Sequence, residues 1–159
     1  MAEDSEQPRR PWATPEPGRL VGRGHPAGDF LEAWAWGVLD EADGYVRVSA
    51  HLPDHVRNPR GQLFGGFTPT YVDLIALFTV RSRAQRASAS GPRWLATVRM
   101  TVEYFEPIVG PTFIIDSRRE KQRGHAHHVL TRFLQDDELA VLAATTMRDV
   151  ALDRPLGDA

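Results

Sequence analysis

The sequence contains no cysteine among its 159 residues. This absence excludes disulfide bonds, thiolate metal sites and a cysteine nucleophile, and it is typical of proteins from a reducing compartment. No run of apolar residues approaches the roughly 18 that a transmembrane helix needs, so we expect no membrane span. The net charge of −2 gives no electrostatic reason to expect nucleic acid as a partner.

Targeting signals are also missing. The first 17 residues are acidic and rich in proline and lack an apolar stretch, so we expect no secretory signal and a cytoplasmic protein. Residues 1–26 hold five of the twelve prolines and show no periodicity, which predicts a disordered N-terminal arm. We expect one folded domain over residues 27–152 and a short tail at residues 153–159.

Hydrophobic periodicity divides this domain into helices and strands. Asp29 and Glu32 have the spacing of a capping box, which predicts a short helix carrying Phe30 and Leu31. Asp43 and Gly44 predict a hairpin turn after the first strand. The six predicted strands cover residues 36–40, 45–52, 94–105, 112–121, 125–135 and 139–150.

A long helix is predicted from Thr68 to about Arg86, with Pro69 at its first position. Its residues are apolar on nearly every side, and such a helix must be buried on every side. A curved antiparallel sheet of about six strands wrapped around this helix would bury it and would cover its own inner face. The sequence therefore predicts an α+β fold of this kind.

One carboxylate interrupts this apolar region. Asp73 is the single charge between Arg60 and Arg81, and an unpaired buried carboxylate is costly, so either function or local pairing near the helix start must account for it. Gly65 and Gly66 lie where a loop becomes the helix. Unpaired N–H groups there can hold an oxyanion, although the two glycines could simply allow a tight turn.

The spacing of these residues resembles a known family. Asn58-x-x-Gly61-x-x-x-Gly65-Gly66, followed by Asp73 on the helix, is similar to the PaaI-type branch of the hotdog-fold acyl-CoA thioesterases. The resemblance implies the hotdog fold, in which a curved antiparallel sheet wraps around one helix. That is the same architecture that the hydrophobic periodicity predicts.

Three further segments carry the same resemblance. The stretch from Thr70 to the helix carboxylate is similar to the family's central-helix motif. The strand from Thr97 to Pro107 resembles the family's third strand, which ends in an aromatic-x-x-Pro pattern, and the Arg123–Gly124 turn has a counterpart. The resemblance therefore covers most of the predicted domain.

The resemblance implies hydrolysis of an acyl-CoA to a free acid and coenzyme A, with no metal and no cofactor. Asp73 would act as general base or nucleophile, and the N–H of Gly65 would stabilise the oxyanion. Asn58 would orient substrate or water from the facing subunit of a homodimer, or of a tetramer made of two dimers. Thr97 matches the position where the family has Ser or Thr near the attacking water.

A second set of residues is expected to contact the substrate. Aromatic residues would line the acyl pocket, and arginines would contact the phosphates of coenzyme A. The set comprises Phe64, Gly66, Phe67, Tyr71, Arg60 and Arg123. Phe64 stands where the family has a histidine, so an acyl-CoA-binding protein without turnover is an alternative. A hotdog dehydratase or hydratase is a further alternative. Glycine occupies position 65, however, where the helix carboxylate of a dehydratase would lie.

A histidine tract is the last feature that suggests a site. His125, His127 and His128 lie within four residues, and the first two could share one strand face. No acidic residue sits nearby at a ligand spacing, and zinc sites need three or four converging ligands. We therefore expect no metal here and interpret the tract as half-exposed strand residues.

Overall fold

The computed structural model of the chain describes residues 12–81 and 93–151. Within these ranges the chain forms two α-helices and six strands, joined in places by 3-10 turns. The helices are α1 (Pro26–Phe30) and α2 (Thr68–Val80). The strands are β1 (Gly37–Ala42), β2 (Tyr45–His51), β3 (Arg93–Tyr104), β4 (Thr112–Arg123), β5 (Ala126–Gln135) and β6 (Glu138–Ala151). No helix in the described part of the chain is both long and apolar enough to cross a lipid bilayer.

All six strands form one antiparallel sheet in the order β1-β2-β4-β5-β6-β3. Asp43 and Gly44 turn β1 into β2, and Gly44 adopts the left-handed conformation with a φ of +68°. The inward side chains of β2, namely Val46, Val48 and Ala50, are buried as the alternation predicts. The predicted strand pattern is confirmed, with bounds that differ by at most two residues.

The long helix α2 packs against the inner face of the curved sheet. Tyr71 and Ile75 of the helix are fully buried and share one core cluster with Phe133 of β5. Burying each such side chain stabilises the fold by about 1.5–3 kcal/mol, so this layer is the main source of stability. The predicted wrapping of the sheet around one helix is confirmed. The helix ends at Val80 and Arg81 is extended, so the predicted unbroken helix to about Arg86 is wrong at Arg81, and residues 82–86 lie outside the described residues.

The short helix α1 begins earlier than predicted. Pro26 occupies its first turn, where a fixed φ and a missing N–H suit the helix start. His25 is the N-cap, and its Nδ1 accepts a hydrogen bond from the N–H of Gly28 at 3.1 Å. The Asp29 carboxylate instead accepts from the N–H of Gly24 at 3.0 Å, so the predicted capping box is wrong.

Residues 12–25 form an irregular segment, here called the N-terminal strap, which folds back on itself so that the N–H of Ala13 donates to the carbonyl of Arg23 at 2.9 Å. Leu20 and Val21 of the strap are each 1% exposed and belong to the main core cluster. The strap also bonds to the start of β1, where the N–H of Val38 donates to the carbonyl of Gly18 at 2.9 Å. Its order therefore depends on two buried apolar side chains and on backbone pairing with the sheet.

The strap corrects the predicted boundary of the folded domain. Disorder is wrong for residues 12–26, because that segment is packed and hydrogen-bonded to the sheet. The remainder of the predicted arm, residues 1–11, and the predicted tail at residues 153–159 both lie outside the described residues.

Candidate active site

The centre of the candidate site is a contact between α2 and the edge strand β3. The hydroxyl of Thr97 donates a hydrogen bond to Oδ1 of Asp73. Asp73 is exposed, and no described strand lies beyond β3 to cover the adjoining face of α2. The prediction that the helix is buried on every side is wrong at this face, and Asp73 is accessible to water.

A β-bulge in β3 presents Thr97 to the helix. Thr97 pairs with Met147 of β6, and Arg99 pairs with the preceding residue Thr146, so Val98 is the extra residue of the bulge. Val98 is 62% exposed, although simple alternation predicts it on the inner face with Met100 and Val102. The bulge shifts the alternation by one residue, and Thr97 thereby shares the helix-facing side with Met100 and Val102.

The two glycines form the entry to α2. A 3-10 turn at Gly65–Phe67 runs directly into the helix, and the N–H of Gly65 has no acceptor inside that turn because it is the first residue. The hydroxyl of Tyr104 on β3 donates to the carbonyl of Gly65 at 2.7 Å. Alternation predicts Tyr104 on the inner face, but it does not predict this contact. The bond anchors the Gly65–Gly66 peptide, and because the N–H of Gly65 belongs to the preceding peptide, Tyr104 positions that donor through the Gly65 backbone.

Phe64 covers the second glycine of the pair. A Cβ on Gly66 would lie 2.7 Å from Cε1 of Phe64, so any side chain there would displace the aromatic ring. Phe64 itself is 51% exposed and meets Phe67 edge-on, with ring centroids 5.5 Å apart. Phe30 of α1 extends the same cluster, 5.4 Å from Phe67. These rings form an apolar surface next to the candidate oxyanion position.

Tyr71 does not belong to this aromatic surface. Its side chain is fully buried, stacks on Trp36 with centroids 5.5 Å apart, and donates its hydroxyl to the carbonyl of His51 at 3.1 Å. Burial raises the pKa of the Tyr71 phenol, which keeps it neutral. The expectation that Tyr71 lines the acyl pocket is wrong for the single chain, because core packing encloses the ring.

Asn58 organises the loop before the glycines. Its side-chain Oδ1 accepts from the N–H of Arg60 at 2.9 Å and from the N–H of Gln62 at 3.1 Å. Two accepted bonds use both lone pairs of an amide oxygen. The guanidinium of Arg57 ties the same loop down by donating to the carbonyl of Gly61 at 2.7 Å. The Nδ2 group also donates to Oε1 of Gln62 at 3.4 Å, so only its second hydrogen is left for the expected role toward substrate or water.

The two arginines expected to contact phosphates lie apart from the carboxylate. Arg60 is exposed in the loop, and Arg123 is exposed at the end of β4. β4 lies three strands from β3, which is roughly 14 Å at the usual strand spacing. No contact within the described residues joins either arginine to Asp73. Their role toward coenzyme A stays a prediction.

The histidine tract is split between the two faces of β5. His127 is buried on the inner face and pairs with Asp149 at 2.9 Å, whereas His128 is exposed on the outer face. The expectation of half-exposed strand residues is therefore wrong for His127. Across residues 12–81 and 93–151, no three His, Asp or Glu side chains converge on a common metal position.

No model of a known protein family matches the chain, and no curated protein matches it. Solved structures do resemble it. One is a candidate thioesterase, the phenylacetic acid degradation-related protein of Ralstonia eutropha JMP134. Its TM-score is 0.64 at 19% sequence identity, covering 78% of this chain and 90% of that one. A conserved protein from Pseudomonas aeruginosa has a TM-score of 0.66 at 16% identity, covering 79% and 94%.

A third similar structure is a protein of Streptococcus mutans UA159 bound to acetyl-CoA. Its TM-score is 0.60 at 21% identity, over 75% of this chain and 91% of that one. Identities at this level establish the fold and leave the activity to be argued from the site. The strand order, the buried helix and these superpositions together show that the chain has the hotdog fold of thioesterase structures.

Proposed function

We propose that the chain hydrolyses an acyl-CoA thioester to a free acid and coenzyme A. The observation that carries the proposal is the hydrogen bond from Thr97 to Asp73, which holds a carboxylate at an uncovered face of α2. Two neighbours with the same fold support the choice of substrate, namely the candidate thioesterase from Ralstonia eutropha and the protein bound to acetyl-CoA.

The reaction follows from the groups that are present. Asp73 removes a proton from water as the water oxygen attacks the thioester carbonyl; direct attack by the carboxylate is the other route. The N–H of Gly65 stabilises the negative oxygen of the tetrahedral intermediate. When the C–S bond breaks, its electron pair leaves with sulfur, and the proton held by Asp73 passes to the thiolate. Free acid and coenzyme A are the products.

The base and the oxyanion donor of one chain lie too far apart to act together. Gly65 and Asp73 are eight residues apart on continuous helical backbone, which corresponds to roughly 12 Å. A reacting carbonyl needs both groups within about 3–3.5 Å of its own atoms. We therefore propose a homodimer in which Asp73 faces Gly65 of the partner subunit.

The surface of β3 supports this dimer. β3 is an edge strand of twelve residues, and edge strands of this length readily pair with another chain. Three large apolar side chains along or just beyond it are about half exposed or more, namely Val98, Tyr104 and Phe105. Pairing of two β3 strands would bury these side chains and would cover the face of α2 that carries Asp73.

Binding of an acyl-CoA without turnover is the second candidate function. Phe64 favours it, because an apolar ring stands where the resembling family has an imidazole, and its exposed half leaves it available to a ligand. The same site would then hold the thioester in an environment with fewer hydrogen-bond donors. Turnover is the property that separates the two candidates.

The test is release of free thiol from a panel of short, medium, long-chain and aromatic acyl-CoAs. Asp73→Asn keeps the shape of the side chain and an acceptor for Thr97 but removes the base, so we expect kcat to fall by about 10²–10⁴-fold. Asp40→Asn, at an exposed carboxylate on β1, is the matched control and should leave kcat unchanged. Hydrolysis that survives in Asp73→Asn would reject the base, and binding without any thiol release would favour the second candidate.

A further inference from the structure

Phe30, the last residue of α1, is held in place although its side chain is 41% exposed. The next residue, Leu31, is 0% exposed and anchors the end of α1 in the main core cluster. His55 holds Phe30 in two ways. Its Nε2 donates to the carbonyl of Phe30 at 2.5 Å, and its ring meets the Phe30 ring edge-on with centroids 4.9 Å apart. The Phe30 ring therefore cannot turn aside without losing packing on His55.

Ring contacts connect Phe30 to the glycine turn. Phe30 packs against Phe67 with centroids 5.4 Å apart, and Phe67 packs against Phe64 with centroids 5.5 Å apart. Phe64 directly precedes Gly65, whose N–H is the proposed oxyanion donor. The aromatic surface thus begins beside that donor and ends at Phe30. Both neighbouring rings are inclined to the Phe67 ring by about 60°, so the surface is angular rather than flat.

The chemistry of this surface selects one part of the substrate. A thioester carbonyl bound at Gly65 carries the acyl group on one side and the pantetheine arm of coenzyme A on the other. Pantetheine contains amide groups, and phenyl rings offer them no ordinary hydrogen-bond partner, so placing the arm here would be costly. An apolar acyl chain gains free energy from every part of its surface that such rings remove from water. The acyl group is therefore the part that fits.

We propose that the acyl group lies along Phe64 and Phe67 and that Phe30 forms the end of its binding site. Phe30 is then the residue that limits acyl length, and the preferred substrates are short- and medium-chain acyl-CoAs rather than long-chain ones. This inference rests on the proposed function. In the proposed dimer, all three rings belong to the subunit whose Gly65 holds the oxyanion.

The test changes the size of the side chain at position 30 in both directions. Phe30→Ala and Phe30→Trp are assayed with straight-chain acyl-CoAs of increasing length, and kcat/KM is measured for each. One methylene in an apolar pocket changes the rate roughly 10-fold or more, so Phe30→Ala should raise the ratio of long-chain to medium-chain kcat/KM by at least that factor. Phe30→Trp should shift the optimum to shorter chains. Leu39→Ala, at an exposed apolar residue on β1, is the control and should keep the wild-type optimum.

Two results of this assay would overturn the inference. A loss in Phe30→Ala that is equal at every chain length would mean that the ring supports the fold or contacts the pantetheine arm. An unchanged optimum in both variants would mean that Phe30 lies outside the acyl site. Opposite shifts in the two variants are expected only from a residue that the end of the acyl chain contacts.

Calorimetric titration separates this inference from the proposed function. The Kd of each acyl-CoA is measured with Asp73→Asn, alone and combined with each change at position 30, and the chain-length optimum of binding should shift as the optimum of kcat/KM does. A binding optimum that stays the same would overturn the inference even in an active thioesterase. A wild type that releases no thiol from any acyl-CoA would overturn the proposed function, and the shift in Kd would then decide the role of Phe30.

Discussion

The two edges of the sheet differ in what lies beside them. β1 is six residues long and has a register shift between Val38 and Asp40, and the strap lies along it through a bridge between Arg19 and Gly37. β3 is twelve residues long, and no strand among the described residues lies beyond it. The chain thus covers the start of one edge with its own N-terminal segment, and no described segment occupies the other.

The comparison shows that exposure of apolar side chains does not by itself identify an interface. Both edges carry a large exposed side chain, Leu39 at 54% and Val98 at 62%. The difference lies in the backbone, because no segment among the described residues pairs with the outer edge of β3, whereas the strap pairs with the start of β1. The open edge also carries Thr97, the hydrogen-bond partner of Asp73. In the proposed dimer, the pairing that closes the sheet therefore also completes the active site.

The largest expected effect comes from a charge at the open edge. Val98→Glu would bring carboxylates from both copies into an interface formed by β3, and like charges there cost several kcal/mol. We expect the dimer Kd to rise by roughly 10²-fold or more, because about 1.4 kcal/mol corresponds to a factor of ten. Thiol release should fall in parallel, because the monomer lacks the second half of the site. Sedimentation velocity measures the first effect, and the acyl-CoA assay measures the second.

Leu39→Glu is the control at the closed edge. It introduces the same charge at an equally exposed position on β1, and we expect a dimer of unchanged Kd with full activity. A Val98→Glu variant that stays dimeric at micromolar concentration would contradict an interface at β3. Dissociation of the Leu39→Glu dimer would instead place the interface at β1.

Much of this architecture can be predicted from the sequence, because side-chain periodicity records which face of an element is buried. The alternation around Val46 and Val48 identifies β2, and the apolar run around Ile75 identifies α2. The pairing of Asp73 with Thr97 is a different case. Periodicity says nothing about it, and only the resemblance to a family suggests that these two residues act together.

Three features escape such reasoning for physical reasons. The bulge at Val98 adds one residue to β3 and leaves the composition of the strand unchanged. The buried apolar residues that hold the strap include the adjacent pair Leu20 and Val21, which is too short a run to show a period. The exposure of Asp73 depends on where the sheet ends, and that depends on strand order rather than on the helix's own sequence.

A smaller effect tests how the closed edge is held. Leu20 is buried in the main core from within the strap, so Leu20→Ala should destabilise the protein by about 2–5 kcal/mol. Leu39→Ala, on the exposed side of the same edge, should stay within about 0.5 kcal/mol of the wild type. Urea unfolding of both variants measures the difference. Equal stabilities would mean that the strap adds little to the core and that both edges are open in solution.

The smallest expected effect concerns the contact between the open edge and the glycine turn. Tyr104→Phe removes the hydroxyl that donates to the carbonyl of Gly65 and keeps the ring. A hydrogen bond of this kind contributes about 1 kcal/mol, and if that energy holds the backbone at Gly65 in place, kcat should fall by about fivefold. Tyr45→Phe is the control. It removes a hydroxyl that donates to Asp116, and these two residues lie on β2 and β4, away from the open edge β3. A selective loss in Tyr104→Phe would mean that β3 positions both halves of the site, the base through Thr97 and the oxyanion donor through Tyr104. Equal activities would limit the role of β3 to Thr97 and to pairing with the partner.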